Sequence, residues 1–196
     1  ILLKIKLFFV ILTIGSVLKA DPYSLANISQ YLTNLKFLKA DFLQTSADGA
    51  ASSGAILIKR PGRMRFEYYK PDKTLVLISS GALAIFDPKG DEEPITYPIK
   101  NNPISLVLTG EVDLLNSGIV ENYEKSIEEA VLTIRDPKRP ERGSVELVFT
   151  GAKPELKQFS IKNENGSSTS ILLNDIEYPK KINETLFSIS LEINKR

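Results

Sequence analysis

The chain has 196 residues, a formal net charge of +1 and 42% hydrophobic residues, which suits one soluble domain with a sizeable core. It contains no cysteine and no histidine, which excludes zinc sites built on thiolate or imidazole, cysteine nucleophiles and serine triads with a histidine base. Its basic residues are interleaved with acids, a pattern that gives no support to nucleic-acid binding. We therefore expect a protein with no catalytic site, metal or cofactor.

Residues 1–20 have the layout of a cleavable secretory signal. Two lysines precede a run of about a dozen mostly apolar residues that ends at Leu18, and Ala20 precedes an Asp-Pro pair. The run is shorter than the ~20 residues that a membrane-spanning helix needs. We predict cleavage after Ala20, export to the periplasm and a single domain over residues 21–196, with a short membrane anchor as the alternative. No cysteine follows the run, so a lipoprotein anchor cannot form.

The first element after this segment is predicted to be a helix over roughly Pro22–Asn34. Asp21 is expected to cap its free N–H groups, with Pro22 in the first helical position. One face is apolar because large aliphatic residues recur at spacings of three and four, at Leu25, Ile28, Leu32 and Leu35. The helix must therefore lie on another surface.

Residues 52–71 predict a β-hairpin with Pro61-Gly62 as its turn. Since strand side chains alternate, one face is apolar and the other carries charges that can pair across the strands, namely Lys59, Arg63, Arg65 and Glu67. Arg60 shares the apolar face with Ile56 and Ile58, so this charge should lie at the rim of whatever that face covers. An arginine at a strand end in solvent is the alternative.

Short apolar runs separated by turn residues predict further strands along the chain. They are Leu38–Thr45 before the hairpin strands of Ala55–Tyr69, and after them Thr74–Ser79, Ala82–Asp87, Ile119–Tyr123, Val131–Arg135, Ser144–Thr150, Leu156–Lys162, Thr169–Tyr178 and Leu186–Glu192. About eleven strands result, and an antiparallel meander is the simplest way to connect the first five of them, from Leu38 to Asp87. A sheet of this size must curl. We expect a mainly β protein, an incomplete and unclosed barrel.

Pro94–Leu108 interrupts the series of strands. Asn102 before Pro103 is typical of a helix start, and Ile104, Val107 and Leu108 follow at helical spacing before Gly110. A helix this short is marginal in isolation, so its apolar side must lie on another surface. We expect the helices to cover the concave side of the sheet, either as a lid or as ordinary packing helices.

Several sequence blocks then match a known family in order and spacing. They are Ala40-Asp41-Phe42-Leu43-Gln44, Gly54 with Lys59-Arg60-Pro61 and Pro71-Asp72, Ser80-Gly81 with Phe86-Asp87-Pro88, Asn102-Pro103, and Leu156-Lys157-Gln158-Phe159-Ser160-Ile161. The Lys-Arg-Pro and Leu-Lys-Gln-Phe blocks are the specific ones. On these blocks the chain resembles the periplasmic outer-membrane lipoprotein carriers of the LolA family. The resemblance implies an eleven-stranded unclosed β-barrel with a helical lid.

The resemblance also implies a function. Members of this family shuttle acylated lipoproteins from an inner-membrane ABC-type release complex to an outer-membrane lipoprotein receptor. That receptor has the same fold but is itself a lipoprotein, so this cysteine-free chain resembles the soluble carrier, and we expect a monomer. Other proteins of similar fold bind free lipids or act as envelope sensors, and these remain the alternatives.

A carrier needs a cavity, because each methylene moved from water into an apolar site is worth roughly 0.8 kcal/mol and a long acyl chain needs on the order of 10 kcal/mol of shielding. The candidate lining is Phe42, Ile56, Ile58, Met64, Phe66, Tyr68, Leu83, Ile85, Ile104, Val107 and Leu108. For each of them ordinary core packing is the alternative.

Arg60 corresponds in sequence position to an arginine of the family. The resemblance implies that its side chain bonds backbone carbonyls of the lid helices and holds the unloaded form closed. A guanidinium suits this role, since it offers five donors in a fixed fork and keeps its charge. Entry of cargo would break those bonds and keep the loaded and empty states close in free energy.

Overall fold

The computed structural model describes residues 21–89 and 93–195, so the predicted signal at residues 1–20 lies outside the described part. Eleven strands form one antiparallel sheet there. They are β1 Phe37–Thr45, β2 Ala51–Lys59, β3 Arg63–Tyr68, β4 Leu75–Ser79, β5 Ala82–Phe86, β6 Ile95–Pro98, β7 Val120–Lys125, β8 Glu129–Arg135, β9 Ser144–Thr150, β10 Glu155–Lys162 and β11 Ser168–Glu177.

The helices are few and short. The α-helices are α1 Leu25–Asn34 and α2 Ile189–Ile193, and the 3-10 helices are Ile99–Asn101, Pro103–Leu106, Pro140–Arg142 and Glu184–Phe187. Over the described ranges, none of these helices combines the length and the apolar character needed to cross a membrane.

The strand order across the sheet is β6-β5-β4-β3-β2-β1-β11-β10-β9-β8-β7. The first five strands form the antiparallel meander that we predicted. A second series, β7 to β11, meets it where β1 pairs with β11, at Phe42 opposite Leu173. The edge strands are β6 and β7, and the sheet does not close between them in the described part of the chain. It does curl, because Met64 on β3 and Leu147 on β9 line one cavity although four strands separate them.

The predicted number of strands is confirmed, but one member of the set is different. Ile95–Pro98 forms the edge strand β6, where we predicted only an interruption. Leu186–Glu192, predicted as a strand, lies instead in a 3-10 helix and α2. The reason is local capping, since Asn183 Oδ1 accepts from the N–H of Thr185 at 3.1 Å and Ser188 Oγ from that of Leu191 at 3.2 Å.

Helix α1 begins later than predicted. Its cap is Ser24, whose Oγ accepts from the N–H of Asn27 at 3.2 Å. The predicted cap, Asp21, instead accepts from the N–H of Tyr23 at 3.0 Å, two residues before the helix. The prediction of a buried stripe is confirmed, since Ile28 and Leu32 are buried in the main core between the sheet and α1.

The outer face of the hairpin is covered, contrary to the prediction of an exposed charged face. Lys59 and Arg65 are each only 9% exposed. Lys59 Nζ lies 2.6 Å from Glu184 Oε1, and Arg65 Nη1 donates to the carbonyl of Leu186 at 2.8 Å. Residues 182–195, which we call the outer segment, therefore cover this face and use its charges as anchors.

A second apolar cluster lies under the outer segment. It contains Leu75, Leu77, Ala84 and Phe86, with Ile189 from α2 against it. On β4 and β5 these positions alternate with residues that face the main core, such as Val76 and Leu83. Both faces of this part of the sheet are thus buried, which explains why the sequences of β4 and β5 are almost entirely apolar.

Candidate binding cavity under the lid

Residues 99–109, which we call the lid, cross the concave side of the sheet. Asn102 Oδ1 accepts from the N–H of Ile104 at 3.0 Å, with Pro103 in the first position of a 3-10 helix. The predicted cap is confirmed, although the helix is 3-10. The N–H of Gly62, in the hairpin turn, donates to the carbonyl of Leu108 at 2.9 Å and ties the end of the lid to the sheet.

A small cavity of about 30 Å³ lies under the lid. Its predicted lining residues are Ile58, Met64, Ile104, Val107 and Leu108, with Arg60 at its wall. The structure adds residues from α1 and its C-cap and from β9 and β10, namely Leu32, Leu35, Leu147, Leu156 and Phe159. The lining is apolar apart from the guanidinium.

A larger cavity of about 180 Å³ lies towards the other end of the lid. Phe66, Tyr68 and Leu83 line it, together with Met64 and Ile104, which also line the small cavity. These two shared side chains are the partition between the cavities, and methionine is flexible enough to move. Even together the cavities fall short of the ~300 Å³ at the lower end of ordinary ligand pockets.

The structure brings eight of the eleven predicted residues to one cavity or the other. Phe42 and Ile56 are buried outside both cavities, where the ring of Phe42 lies edge-on to Phe66 at 5.5 Å between centroids. Ile85 is half-buried and pairs with Ile95 near the edge of the sheet. Contact with a ligand stays a prediction for all eleven.

Sequence reasoning missed several lining residues on strands it had placed correctly. Examples are Ile78, Ile161 and Ile171 of the large cavity. The alternation of each strand gives two possible inward faces, and choosing between them requires the β1–β11 pairing that closes the curve. For Leu32 and Leu35 the signal was available, because both belong to the predicted apolar stripe of α1.

Two polar side chains of the large cavity are hydrogen-bonded to each other. The hydroxyl of Tyr68 donates to Gln44 Oε1 at 2.6 Å, and burial raises the pKa of Tyr68 to about 12, so the phenol is neutral at pH 7. Within the two described ranges, no three His, Cys, Asp or Glu side chains gather where a metal ion could bind. The site offers apolar surface for binding instead of groups for acid–base work.

Arg60 is the one charge among these apolar side chains, and only 8% of its surface is exposed. Its Nη2 donates to the carbonyl of Thr109 in the lid, and its backbone N–H donates to the carbonyl of Lys36 at 2.9 Å. Nε and Nη1 are buried without a hydrogen-bond partner among the described residues. Burial lowers the pKa of Arg60 to about 10, so the group stays charged at neutral pH.

Comparison with known proteins finds a family whose model matches most of the chain. Residues 33–190 match the family described as outer membrane lipoprotein carrier protein LolA. A protein of Methylococcus capsulatus named outer-membrane lipoprotein carrier protein is 24% identical over 90% of this chain and 88% of its own length. A protein of that name from Dechloromonas aromatica is 29% identical over 82% of this chain and 80% of its own length.

Among solved structures, a putative outer membrane lipoprotein-sorting protein domain from Vibrio parahaemolyticus is 10% identical with a TM-score of 0.49, covering 85% of this chain and 96% of that one. The family match extends from the end of α1 through the lid and into α2. The chain therefore belongs to the LolA family of outer membrane lipoprotein carrier proteins.

Proposed function

We propose that this protein is a periplasmic carrier that binds the acyl chains of outer-membrane lipoproteins beneath its lid and has no catalytic activity. It takes cargo from an inner-membrane release complex and delivers it to the outer membrane, where a lipoprotein receptor is present. Family membership supports this role. The structural observation that carries it is the apolar space between the lid and the sheet.

The lid must move for cargo to enter, because both cavities are too small for an acyl chain. Opening uncovers Ile104 and Leu108, which are buried in the closed form. An acyl chain replaces those contacts, at roughly 0.8 kcal/mol for each methylene that leaves water. Lid opening and acyl-chain binding are therefore coupled, because the acyl chain replaces the apolar contacts that the lid loses.

Arg60 sets the balance between the closed and loaded forms. Its bond to Thr109 stabilises the closed lid, while its two unpartnered nitrogens make burial of the charge costly. These opposing contributions keep the closed form only slightly favoured, as a reversible carrier requires.

One observation favours the alternative of a same-fold envelope sensor with a filled interior, namely the small size of both cavities. A free-lipid carrier would differ from a lipoprotein carrier only in its cargo. An apolar fluorescent probe separates the filled barrel from both carriers, because only a lid that opens admits the probe. Displacement of the probe by a palmitoylated peptide then supports acyl-chain binding.

Two variants make this test specific. Leu83→Gln places an amide in the large cavity and should weaken probe binding several-fold. Ile127→Gln makes the same kind of change at a side chain that is 96% exposed and should have no effect. Failure of the native protein to bind the probe, or equal binding by all three proteins, would contradict the proposal. Co-purification of acylated lipoprotein from the periplasm would identify the cargo.

A further inference from the structure

An open groove of about 640 Å³ runs along the outside of α1, facing the turn between β9 and β10. It is larger than both cavities under the lid and lies within the usual size range of ligand sites. Its walls combine side-chain amides on the helix with Lys153, Pro154 and Tyr178 on the other side. The function proposed above makes no use of it.

The helix wall presents two free amides. Gln30 and Asn34 are exposed and four residues apart, so they are neighbours on one face of α1. Neither side chain has a hydrogen-bond partner within the part of the chain that the structure describes. Each amide offers one acceptor and two donors, which match the N–H and C=O groups of a peptide main chain. The pair is therefore suited to an extended polypeptide.

The opposite wall holds a hydrogen-bonded tyrosine and an unpaired cation. The hydroxyl of Tyr178 lies 3.1 Å from Glu155 Oε2 and 3.1 Å from the hydroxyl of Tyr31, so its ring is held in place while half of the side chain stays exposed. Lys153 is exposed in the turn and forms no ion pair with any described residue. This wall supplies apolar contact from Pro154 and the ring of Tyr178, with the cation of Lys153 and the carboxylate of Glu155 beside it.

The groove adjoins the space under the lid. Leu35 lines both the groove and the small cavity, and it is the residue between them. Tyr31 of the groove accepts a hydrogen bond from the N–H of Leu156 at 3.2 Å, and Leu156 lines the small cavity. A ligand with one part under the lid and another in the groove would therefore pass over Leu35.

We propose that the groove binds the polypeptide chain of the cargo next to its acylated residue, through main-chain hydrogen bonds to Gln30 and Asn34. This inference rests on the proposed function, since it assumes that the acyl chain lies under the lid. It predicts that the groove adds to the binding of an acylated polypeptide and adds nothing to the binding of a free fatty acid, because a fatty acid has no peptide groups for these amides.

Calorimetric titration with two probes tests the proposal: palmitate, and a hexapeptide of serine, glycine and glutamate with a palmitoyl group at its N-terminus. The double variant Gln30→Ala and Asn34→Ala should bind the palmitoylated peptide about tenfold more weakly than the native protein, with palmitate binding unchanged. Asn122→Ala is the matched control, because this exposed amide lies on the edge strand β7 and donates only to Glu124. It should leave both affinities unchanged.

Each other outcome has a defined meaning. If the native protein binds both probes and the double variant binds each of them with the same affinity as the native protein, the groove proposal is wrong and the proposed function stands. If the native protein binds neither probe, both proposals are wrong. If sedimentation shows that the native protein self-associates and the double variant does not, the groove binds a second copy of the chain, and the peptide site is refuted.

Discussion

Arg60 donates to the carbonyl of Thr109, which joins the residue after β2 to the last residue of the lid. The guanidinium is buried, and the nearby hairpin turn adds the bond from Gly62 to Leu108. The lid is thus held at one end by two hydrogen bonds. Its middle is held by the buried side chain of Ile104.

Arg60→Leu should fold and accept acylated cargo but release it roughly tenfold more slowly. Leucine removes the bond that favours the closed form and adds apolar contact for the acyl chain. The loaded state is therefore stabilised relative to the empty state. Stability should change by no more than about 1 kcal/mol, because replacing a buried charge with an apolar side chain is often neutral. Transfer of lipoprotein to acceptor vesicles measures the effect.

Arg63→Leu is the control for that experiment. Arg63 lies on the outer face, with Nη1 3.7 Å from Glu184 Oε1, and has no contact with the lid cavities. Normal transfer by Arg60→Leu, or an equal defect in both variants, would count against the role of Arg60 in the lid.

The attachment of the outer segment should weaken in acid. The hydrogen bond from Lys59 lowers the pKa of Glu184 below its ordinary value of 4.5. A carboxyl with a lowered folded-state pKa contributes stability that is complete above pH 4.5 and disappears as the pH falls through the folded value. Native protein should therefore be more stable than Glu184→Gln at pH 6, and the difference should vanish once the pH has fallen below the folded-state pKa of Glu184. Urea unfolding followed by circular dichroism provides the measurement.

The effect at Glu184 should be small, since its side chain is 70% exposed. Glu177→Gln is a suitable control, because Glu177 pairs with Lys39 at 3.1 Å on the exposed surface, away from the outer segment. Proteolysis within residues 182–195 should respond to pH in the native protein and lose that response in Glu184→Gln. An unchanged response in that variant would assign the acid sensitivity to other groups.

Gly54→Ala should destabilise the protein by about 1–3 kcal/mol, as overpacking does. A Cβ at position 54 would lie 2.2 Å from the carbonyl oxygen of Glu67 and 2.7 Å from Cε1 of Phe42. Backbone and a buried ring must therefore move. Gly110→Ala is the matched control, because a Cβ there meets no atom within 4 Å. A midpoint of urea unfolding that is equal in the two variants would contradict this account.

Local patterns in the sequence predicted much of the fold. Alternation placed Ile56 and Ile58 towards the core, and the structure confirms that they are buried. Arg60, which we predicted at the rim of the same face, is buried too. The Asn102-Pro103 pair correctly predicted the start of the lid helix. These features depend on neighbours within a few residues, so the sequence is enough to specify them.

Other features depend on contacts between distant segments. Lys59 and Arg65 have the pattern of exposed residues, and only the arrival of Glu184 and Leu186 buries them. Leu186–Glu192 has the composition of a strand, yet its caps and the cluster around Phe86 favour helix. Composition alone carries no information about these long-range partners.

The sequence by itself determined ten of the eleven strands in the described part of the chain, the cap of the lid helix and the single arginine on an apolar face. Tertiary structure alone decided that β1 pairs with β11, and hence which faces turn inward and how much space remains under the lid. The physical reason is that side chains alternate between the two faces of a strand with a period of two. This pattern does not say which face turns inward, and only the pairing of distant strands decides it.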